Sequence, residues 1–338
     1  KVEPSKDKAQ DIRKIRTLVV DDTVIYRKIL SDAVTRFPEL ELVGTAPTGA
    51  LALKKMSQSG ADLVLLDVHM PEMDGVETLG RIREAFPRTQ VIMVSGISTR
   101  GAATTIKALE MGAIDFVRKP EGSDFEKSME LLVSDLRPVI RLVCIKALHA
   151  GIAVGAASTS PARPGTPIVP ATTVHAPMPS TFSILAIGVS TGGPEALNRL
   201  IPVLPADLPV PVVLVQHMPP TFTRSLAESL DRKSALSVRE GQEGDLLKPG
   251  EVYIAPGGRH MTIRKEESGY VVRLNDGPPE NSCRPSVDVL FRSVAAACEG
   301  RGVISVILTG MGNDGAGGVR VLKRNGCYSI TQSAATCV

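Results

Sequence analysis

Short apolar runs alternate with helix-period segments along this chain, and the alternation occurs in both halves. Runs such as TLVV and ADLVLLD have the length of strands, while GVETLGRIREAF repeats apolar residues every three or four positions. Strands that alternate with helices form an open, mostly parallel sheet with helices on both faces. The chain is therefore predicted to be an α/β protein.

Two such regions are predicted, separated by a segment of different composition. Residues 149–180 are rich in Pro, Ala, Gly, Ser and Thr, which is typical of a linker. We predict a flexible tail over residues 1–15, a first domain over 16–140, a linker over 141–181 and a second domain over 182–338. The first domain carries five predicted strands, TLVV, LELVGTA, ADLVLLD, TQVIMVS and AIDFVRK. The second is predicted to be doubly wound and mostly parallel, and it includes a β-hairpin formed by MTIR and YVVRL.

Composition excludes several classes of protein. A hydrophobic content of 43% and a charged content of 22% are typical of a globular chain. No apolar run approaches the roughly 18 residues of a membrane span, so no membrane insertion is expected. The N-terminal residues lack a signal-peptide pattern, which predicts a cytoplasmic protein. The five cysteines show no CxxC spacing and are predicted to be free thiols.

The net charge of +3 lies in the first 16 residues. Residues 1–16 contain six basic and three acidic side chains, so the remaining chain carries 33 of each sign. Nucleic-acid-binding domains usually present a basic face. The balance therefore offers no support for a nucleic-acid partner.

Acidic side chains follow two predicted strands of the first domain. Asp21 and Asp22 come after TLVV, and Asp67 comes after ADLVLL. The carboxyl ends of parallel strands meet at one edge of a sheet, where a hard divalent cation would offset the repulsion between carboxylates. Ser95 and Lys119 follow the fourth and fifth strands and add a hydroxyl and an ammonium suited to a phosphoryl group on Asp67. A single aspartate after a strand is commonly only a turn residue, so the prediction depends on the whole set.

The segment GVSTG, residues 188–192, fits the G-x-S-x-G pattern that presents a nucleophilic serine between a strand and a helix. A phosphate-binding loop is the alternative, but G-x-x-x-x-G-K-[ST] is absent and GVSTGGP lacks the G-x-G-x-x-G spacing. A nucleophilic Ser190 would require an imidazole and a carboxylate. His217 after VPVVLVQ and Asp314 after VISVILTGMGN both follow predicted strands, whereas His260 lies near the hairpin and is expected to be structural. The sequence thus predicts a Ser190, His217 and Asp314 triad.

The first-domain motifs LVVDDT, LVLLDVHMPEMDG and DFVRKP resemble the receiver domain of bacterial response regulators. The resemblance implies a flavodoxin-like fold and Mg²⁺ for phosphorylation. It assigns functions to seven residues: Asp67 as phosphoacceptor, Asp21, Asp22, Asp67 and the backbone carbonyl of His69 as metal ligands, and Ser95, Phe116 and Lys119 as the switch and phosphate-binding residues. His69 replaces the glutamate common in related proteins, so we expect a changed phosphoryl lifetime.

The second-domain motifs IGVSTGGPEAL, VQHMPPTFTRSLAESL, IAPGGRHM, RPSVDVLF and LTGMGNDGAGG resemble the chemotaxis protein-glutamate methylesterase (CheB) family. The resemblance implies hydrolysis of glutamyl γ-methyl esters on chemoreceptors, with release of methanol, and deamidation of receptor glutamines. It assigns the triad to Ser190, His217 and Asp314, and an oxyanion site to the Met311 N–H with Thr191 beside it. No cofactor is expected in this domain. The implied partners are methyl-accepting chemoreceptors as substrate and the histidine kinase CheA as phosphodonor, and the protein is expected to be a monomer.

The resemblance also predicts how the enzyme is regulated, and two alternative functions stay open. The resemblance implies that the unphosphorylated receiver covers the Ser190 edge and that phosphorylation of Asp67 weakens this docking. A binding module that has lost catalysis is one rival, which a small-ester hydrolysis assay would decide. A DNA-binding response regulator is the other, although the second half lacks a helix-turn-helix pattern.

Overall fold

The structure is a computed structural model that describes residues 13–96, 98–119, 125–149, 181–299, 302–333 and 336–337. Elements of the first half are β1 (Ile15–Val20), α1 (Val24–Val34), β2 (Leu40–Ala46), α2 (Gly49–Ser59), β3 (Leu63–Asp67), α3 (Gly75–Ala85), β4 (Gln90–Ser95), α4 (Thr99–Glu110), β5 (Asp115–Arg118) and α5 (Phe125–His149). The second half contains β6 (Ile184–Val189), α6 (Gly193–Leu200), β7 (Val212–Gln216), α7 (Phe222–Asp231), β8 (Ser237–Glu240), β9 (Glu251–Ile254), β10 (His260–Glu266), β11 (Gly269–Asn275), α8 (Val287–Ala297), β12 (Val303–Ile307), α9 (Ala316–Arg324) and β13 (Tyr328–Thr331).

The first sheet has five strands in the order β2-β1-β3-β4-β5. Strand β1 pairs in parallel with both β2 and β3, and β3 pairs in parallel with β4. All five residues of β3 are buried, because helices cover both faces of a parallel sheet. Helix α3 begins where the Asp74 side chain accepts a hydrogen bond from the Glu77 N–H at 2.8 Å. The predicted five-stranded parallel fold is confirmed.

Helix α5 extends further than the predicted first domain. It continues to His149, nine residues into the predicted linker of residues 141–181. Apolar residues recur along this part of the helix, and Ile140, Leu142 and Val143 are buried. Their burial stabilises the helix beyond residue 140. Most of the predicted linker lies outside the described residues, as does most of the predicted N-terminal tail.

The second sheet has six strands in the order β13-β12-β6-β7-β9-β8, and its strand pairs are parallel. Strands β10 and β11 form a separate antiparallel pair, which confirms the predicted hairpin. Strands β8 and β13 were not predicted. They are four-residue strands at the two edges of the sheet with few fully buried residues, so they lack the apolar runs that mark the central strands.

The described residues form two compact units. One contains β1 to β3, nearly all of β4 and α5, and the other contains Ser95–Lys119 together with the second-half elements. The core of the second unit includes Tyr253 and Phe291, which are fully buried. Within the described ranges, no helix combines the length and hydropathy that crossing a membrane requires.

Candidate functional site

Ser190 follows β6 directly and lies in the turn before α6. The backbone of this turn reverses at Gly192, which has a φ of 73° and precedes the first residue of α6. This left-handed conformation favours glycine. Ser190 is not among the described residues with positive φ, so the left-handed residue of the turn is two residues after the serine rather than the serine itself.

His217 and Asp314 follow strands that neighbour the Ser190 strand. Strand β6 lies between β7, which His217 follows, and β12, which precedes Asp314 by seven residues. The Ser190 Oγ lies 3.0 Å from Nδ1 of His217, and the Asp314 Oδ2 lies 2.8 Å from Nε2 of the same ring. The structure thus brings together three side chains that are 27 and 97 residues apart in the chain.

Asp314 is held by hydrogen bonds to both carboxylate oxygens. Oδ2 accepts from His217 and from the Val287 N–H at 2.7 Å. Oδ1 accepts from the Ser286 hydroxyl at 2.7 Å and from the Asp288 N–H and Asn281 Nδ2 at 3.1 Å. Burial raises the pKa of Asp314, but these hydrogen bonds outweigh it and hold the pKa well below its usual value. The carboxylate is therefore ionised and fixed in orientation at neutral pH.

The histidine ring has one arrangement that satisfies both neighbours. With its proton on Nε2, the ring donates to Asp314 and leaves Nδ1 to accept from the Ser190 hydroxyl. By contrast, His260 is buried, its Nδ1 accepts from the Ser286 N–H at 3.2 Å, and its Nε2 lies 3.0 Å from the Pro278 carbonyl oxygen. Both ring nitrogens of His260 thus have hydrogen-bond partners within the fold.

The loop after β12 lies against the serine. The Ser190 N–H donates to the Thr309 carbonyl at 3.0 Å, and the Thr309 hydroxyl donates to the Thr191 carbonyl at 3.0 Å. A Cβ added at Gly310 would stand 2.6 Å from the Ser190 Cβ, so a residue without a side chain is required for this close approach. Met311 follows at once and is 38% exposed. The two predicted oxyanion residues, Thr191 and Met311, therefore lie on the segments that flank Ser190.

Three carboxylates of the first sheet also converge. Asp21 and Asp67 are buried, Asp22 is exposed, and each places an oxygen within 4.8 Å of the others. The Asp21 Oδ1 accepts from the Thr23 N–H at 2.8 Å, and the Asp67 Oδ1 accepts from the His69 N–H at 3.3 Å. Hard oxygen ligands of this kind suit Mg²⁺.

The predicted switch residues lie in segment 95–119 of the second unit. Ser95 is buried at the end of β4, where its Oγ accepts from the Thr105 hydroxyl at 2.9 Å and its carbonyl accepts from the Lys119 N–H at 2.8 Å. Phe116 stacks on Phe222, with ring centroids 4.5 Å apart and 4° between the planes.

Segment 95–119 also contacts the turn that carries Ser190. Within this same unit, Asp115 Oδ2 accepts a hydrogen bond from the Gly192 N–H at 2.9 Å. The sequence prediction named Phe116 but missed Asp115. The signal in the sequence was an aspartate within the apolar run AIDFV. The structure shows that this aspartate is buried.

Comparison with known proteins identifies the family of the chain. A family model for CheB methylesterase matches residues 185–338, and one for the response regulator receiver domain matches residues 17–129. A protein-glutamate methylesterase/protein-glutamine glutaminase of Desulfotalea psychrophila is 39% identical over 337 residues, which cover 97% of this chain and 91% of that protein. This chain belongs to the CheB methylesterase family.

A second curated relative and one solved structure are also similar to this chain. The protein of the same description from Geobacillus kaustophilus is 45% identical, and the match covers 97% of this chain and 90% of that one. The crystal structure of the Thermotoga maritima CheB methylesterase catalytic domain is 43% identical, with a TM-score of 0.45, and covers 47% of this chain and 83% of that chain. The present member of the CheB methylesterase family is thus an enzyme with a receiver domain ahead of its methylesterase domain.

Two further residues of the site escaped the sequence prediction. Ser286 begins α8 as its N-cap and also bonds Asp314, so the segment RPSVDVLF contained a signal that could have revealed it. Cys283 places its Sγ 3.6 Å from Nδ1 of His217. No motif marks this cysteine, because its proximity to His217 arises from a turn 66 residues away in the chain.

We expect kcat/KM for a small ester to rise with pH along a limb centred near pH 9. Burial lowers the pKa of His217, but the hydrogen bonds and charges of Asp314 and Cys283 raise it to about 9. The neutral ring is the form that accepts a proton, so activity should rise about tenfold per pH unit below this value. The measurement is a pH–rate profile corrected with Ser190→Ala.

The same pKa sets the sign of the effect on stability. The folded pKa lies above the reference value of 6.5, so the stabilisation by protonated His217 is fully present below pH 6.5. That stabilisation is lost as the pH rises through about 9.

For the activity, a kcat/KM profile that is flat between pH 6.5 and 9 would contradict the assignment of His217 as the base.

Proposed function

We propose that this enzyme hydrolyses γ-methyl esters of receptor glutamates, releases methanol, and deamidates receptor glutamines with Ser190 as nucleophile. The observation that carries the proposal is the hydrogen-bonded chain from Ser190 Oγ through both nitrogens of His217 to Asp314, at 3.0 and 2.8 Å. Relatives described as protein-glutamate methylesterase/protein-glutamine glutaminase along nearly the whole chain support this substrate class.

The chain of side chains supplies each proton transfer that ester hydrolysis requires. As the Ser190 oxygen attacks the ester carbonyl, Nδ1 of His217 takes the serine proton, and the charge of Asp314 stabilises the imidazolium. The imidazolium then protonates the departing methoxide, which leaves as methanol. Water, deprotonated by the same nitrogen, hydrolyses the acyl-enzyme and restores Ser190. With a glutamine substrate the leaving group is ammonia.

The oxyanion of the tetrahedral intermediate requires donors that are in place before the reaction. We assign the Met311 N–H to this role, with Thr191 beside it. The support is the loop after β12, which Gly310 allows to approach Ser190 closely and which bonds to the Ser190 N–H and the Thr191 carbonyl through Thr309.

The receiver domain is proposed to control the esterase through phosphorylation of Asp67. Asp21, Asp22, Asp67 and the His69 carbonyl would hold Mg²⁺, and the clustered carboxylate oxygens fit this ion. When bound, Mg²⁺ would offset the negative charge of the phosphoryl group. Lys119 is assigned to pair with that group, while Ser95 and Phe116 would change position when Asp67 is phosphorylated.

Occlusion of the Ser190 edge is the proposed form of this control. The contacts of Asp115 with Gly192 and of Phe116 with Phe222 join segment 95–119 to the nucleophile turn and to α7. A large substrate such as a receptor would have to displace this segment. Movement of Ser95 and Phe116 would weaken the contacts and open the edge.

The proposed partners follow from this activity. Methyl-accepting chemoreceptors are the substrate, and the histidine kinase CheA is the phosphodonor. We propose that the enzyme works in the cytoplasm as a monomer, without nucleic acid.

Methanol release from methylated receptor, with and without a small-molecule phosphodonor, tests the activity and its control together. We expect the phosphodonor to raise the rate of the wild type by about 5- to 150-fold, the range of ordinary allosteric coupling. Asp67→Asn should lose this response, because the variant lacks the acceptor carboxylate, while it keeps the basal rate.

A second arm tests occlusion directly. Deleting residues 1–140 should raise the rate toward receptor and should change hydrolysis of a small ester far less. An unchanged or lower receptor rate in the truncated protein would count against occlusion, and a full phosphodonor response in Asp67→Asn would exclude Asp67 as phosphoacceptor.

A further inference from the structure

A third side chain, Cys283, lies beside the proposed nucleophile and base, and the mechanism above does not use it. Its Sγ is 3.6 Å from Nδ1 of His217, the nitrogen that also faces the Ser190 Oγ at 3.0 Å. Cys283 is half-buried, and His217, Cys283 and Asp314 each offer a possible ligand atom within 4.8 Å of the others. A thiol, an imidazole nitrogen and a hydroxyl therefore converge at one point.

The turn that presents Cys283 is held from several directions. Glu280 and Cys283 exchange backbone hydrogen bonds at 3.1 and 2.9 Å around Asn281 and Ser282, whose φ values are 51° and 63°. Two adjacent residues other than glycine in the left-handed region are costly and persist only where their surroundings hold them.

Side-chain contacts hold the turn in this conformation. Glu280 pairs with Arg292 at 2.5 and 2.6 Å, and the Asn281 amide donates to Asp288 at 3.0 Å and to Asp314 at 3.1 Å. The thiol of Cys283 is thus positioned by the fold beside His217 rather than left on a loose loop.

We propose that Cys283 and His217 form a binding site for Zn²⁺ or a similar borderline-soft divalent cation, and that the bound metal blocks Ser190. In a tetrahedral zinc site, bonds of about 2.3 Å to sulfur and about 2.0 Å to nitrogen put the two ligand atoms roughly 3.5 Å apart. The Sγ to Nδ1 distance of 3.6 Å already matches this spacing. The Ser190 Oγ and water would complete the four positions.

Asp314 supports this site as the partner of His217. In the neutral ring, the Nε2–H donates to Asp314 at 2.8 Å and Nδ1 carries no proton, which is the usual arrangement of a zinc-bound histidine backed by a carboxylate. The two oxygens of Asp314 already accept five hydrogen bonds. This carboxylate is therefore placed to orient the ring rather than to bind the metal itself.

Metal binding and ester hydrolysis compete for the same lone pair. Zinc takes the thiolate form of Cys283 and the neutral form of His217, on which it occupies Nδ1, so the thiol proton and the Nδ1 proton of the imidazolium both pass to the solvent. The ring can then no longer accept the Ser190 proton. Inhibition by zinc rests on the proposed function, whereas the metal site itself does not.

Cobalt and zinc titrations of the full-length protein, in excess Mg²⁺ to occupy the acidic cluster of the receiver, test the site. Co²⁺ should produce a thiolate-to-metal charge-transfer band that Zn²⁺ abolishes. Free Zn²⁺ at ten times its dissociation constant should lower the small-ester rate about tenfold. Cys283→Ser and Cys283→Ala, each compared with its own zinc-free rate, should lose the band and weaken inhibition by about 10- to 100-fold. Cys144→Ser, which removes a half-buried thiol from α5, should behave as the wild type.

The outcomes separate the two proposals. Ester hydrolysis that zinc does not inhibit, without a charge-transfer band, would overturn the metal site. A charge-transfer band that persists in both Cys283 variants would also overturn the metal site. A band that depends on Cys283 in a protein without Ser190-dependent ester hydrolysis would uphold the metal site and reject the esterase mechanism.

Discussion

Replacing Ser190 with alanine is expected to lower kcat for ester hydrolysis by about 10⁴- to 10⁶-fold. The substitution removes the hydroxyl that Nδ1 of His217 would activate as the nucleophile at 3.0 Å. Removing one member of a Ser-His-Asp triad commonly costs this much, because the three side chains act as a unit. The measurement is steady-state hydrolysis of a small ester and of methylated receptor.

The fold should survive this change, since alanine fits the Ser190 turn and the left-handed residue is Gly192. Thermal unfolding of the variant should match that of the wild type. Ser234→Ala, a half-buried serine after α7, is the matched control and should keep full activity. A Ser190→Ala enzyme with a rate near that of the wild type would disprove the assignment of the nucleophile.

Replacing Asp314 with asparagine is expected to lower kcat by about 10⁴-fold, as the template of the Ser-His-Asp triad indicates. The charge that stabilises the imidazolium of His217 is lost. An asparagine also has one acceptor oxygen where the carboxylate has two. Whichever way the asparagine side chain is turned, its NH₂ group would face at least two hydrogen-bond donors. In one orientation these are the Nε2–H of His217 and the Val287 N–H. In the other they are the donors of Asn281, Ser286 and Asp288.

This change should also destabilise the protein, unlike Ser190→Ala. Donors left without an acceptor cost about 1–3 kcal/mol in the free energy of unfolding. Denaturant unfolding measures that loss, and assays below the unfolding transition measure kcat separately. The double variant that combines Ser190→Ala with Asp314→Asn should be about as slow as Ser190→Ala alone, since the two residues act together. Rates in Asp314→Asn within tenfold of the wild type, or multiplicative losses in the double variant, would contradict the triad.

Much of the fold was predictable because its central strands are continuous apolar runs. The first four residues of β3 are apolar and buried, as a strand covered on both faces requires, and Asp67 ends the strand at the edge of the sheet. The edge strands β8 and β13 escaped prediction because they are short and partly exposed. The end of α5 at His149 was not predicted because the first domain was expected to end at residue 140, whereas burial of Leu142 and Val143 extends the helix.

The residues of the candidate site were also predictable only in part. Ser190, His217 and Asp314 could be proposed from the sequence because each comes after an apolar strand, and parallel strands bring their carboxyl ends to one edge. The sequence by itself determined which side chains lie at that edge.

Only the tertiary structure decided which nitrogen of His217 faces Ser190, how many donors hold Asp314, and that Cys283 and Asp115 reach the same site. These contacts depend on turns and loops whose positions are set by packing between distant segments. A turn such as Glu280–Cys283 has no apolar period that reports its neighbours, and the Asp115 to Gly192 hydrogen bond joins residues 77 positions apart. Strand burial imposes a pattern on the sequence, and contacts made by loop side chains do not.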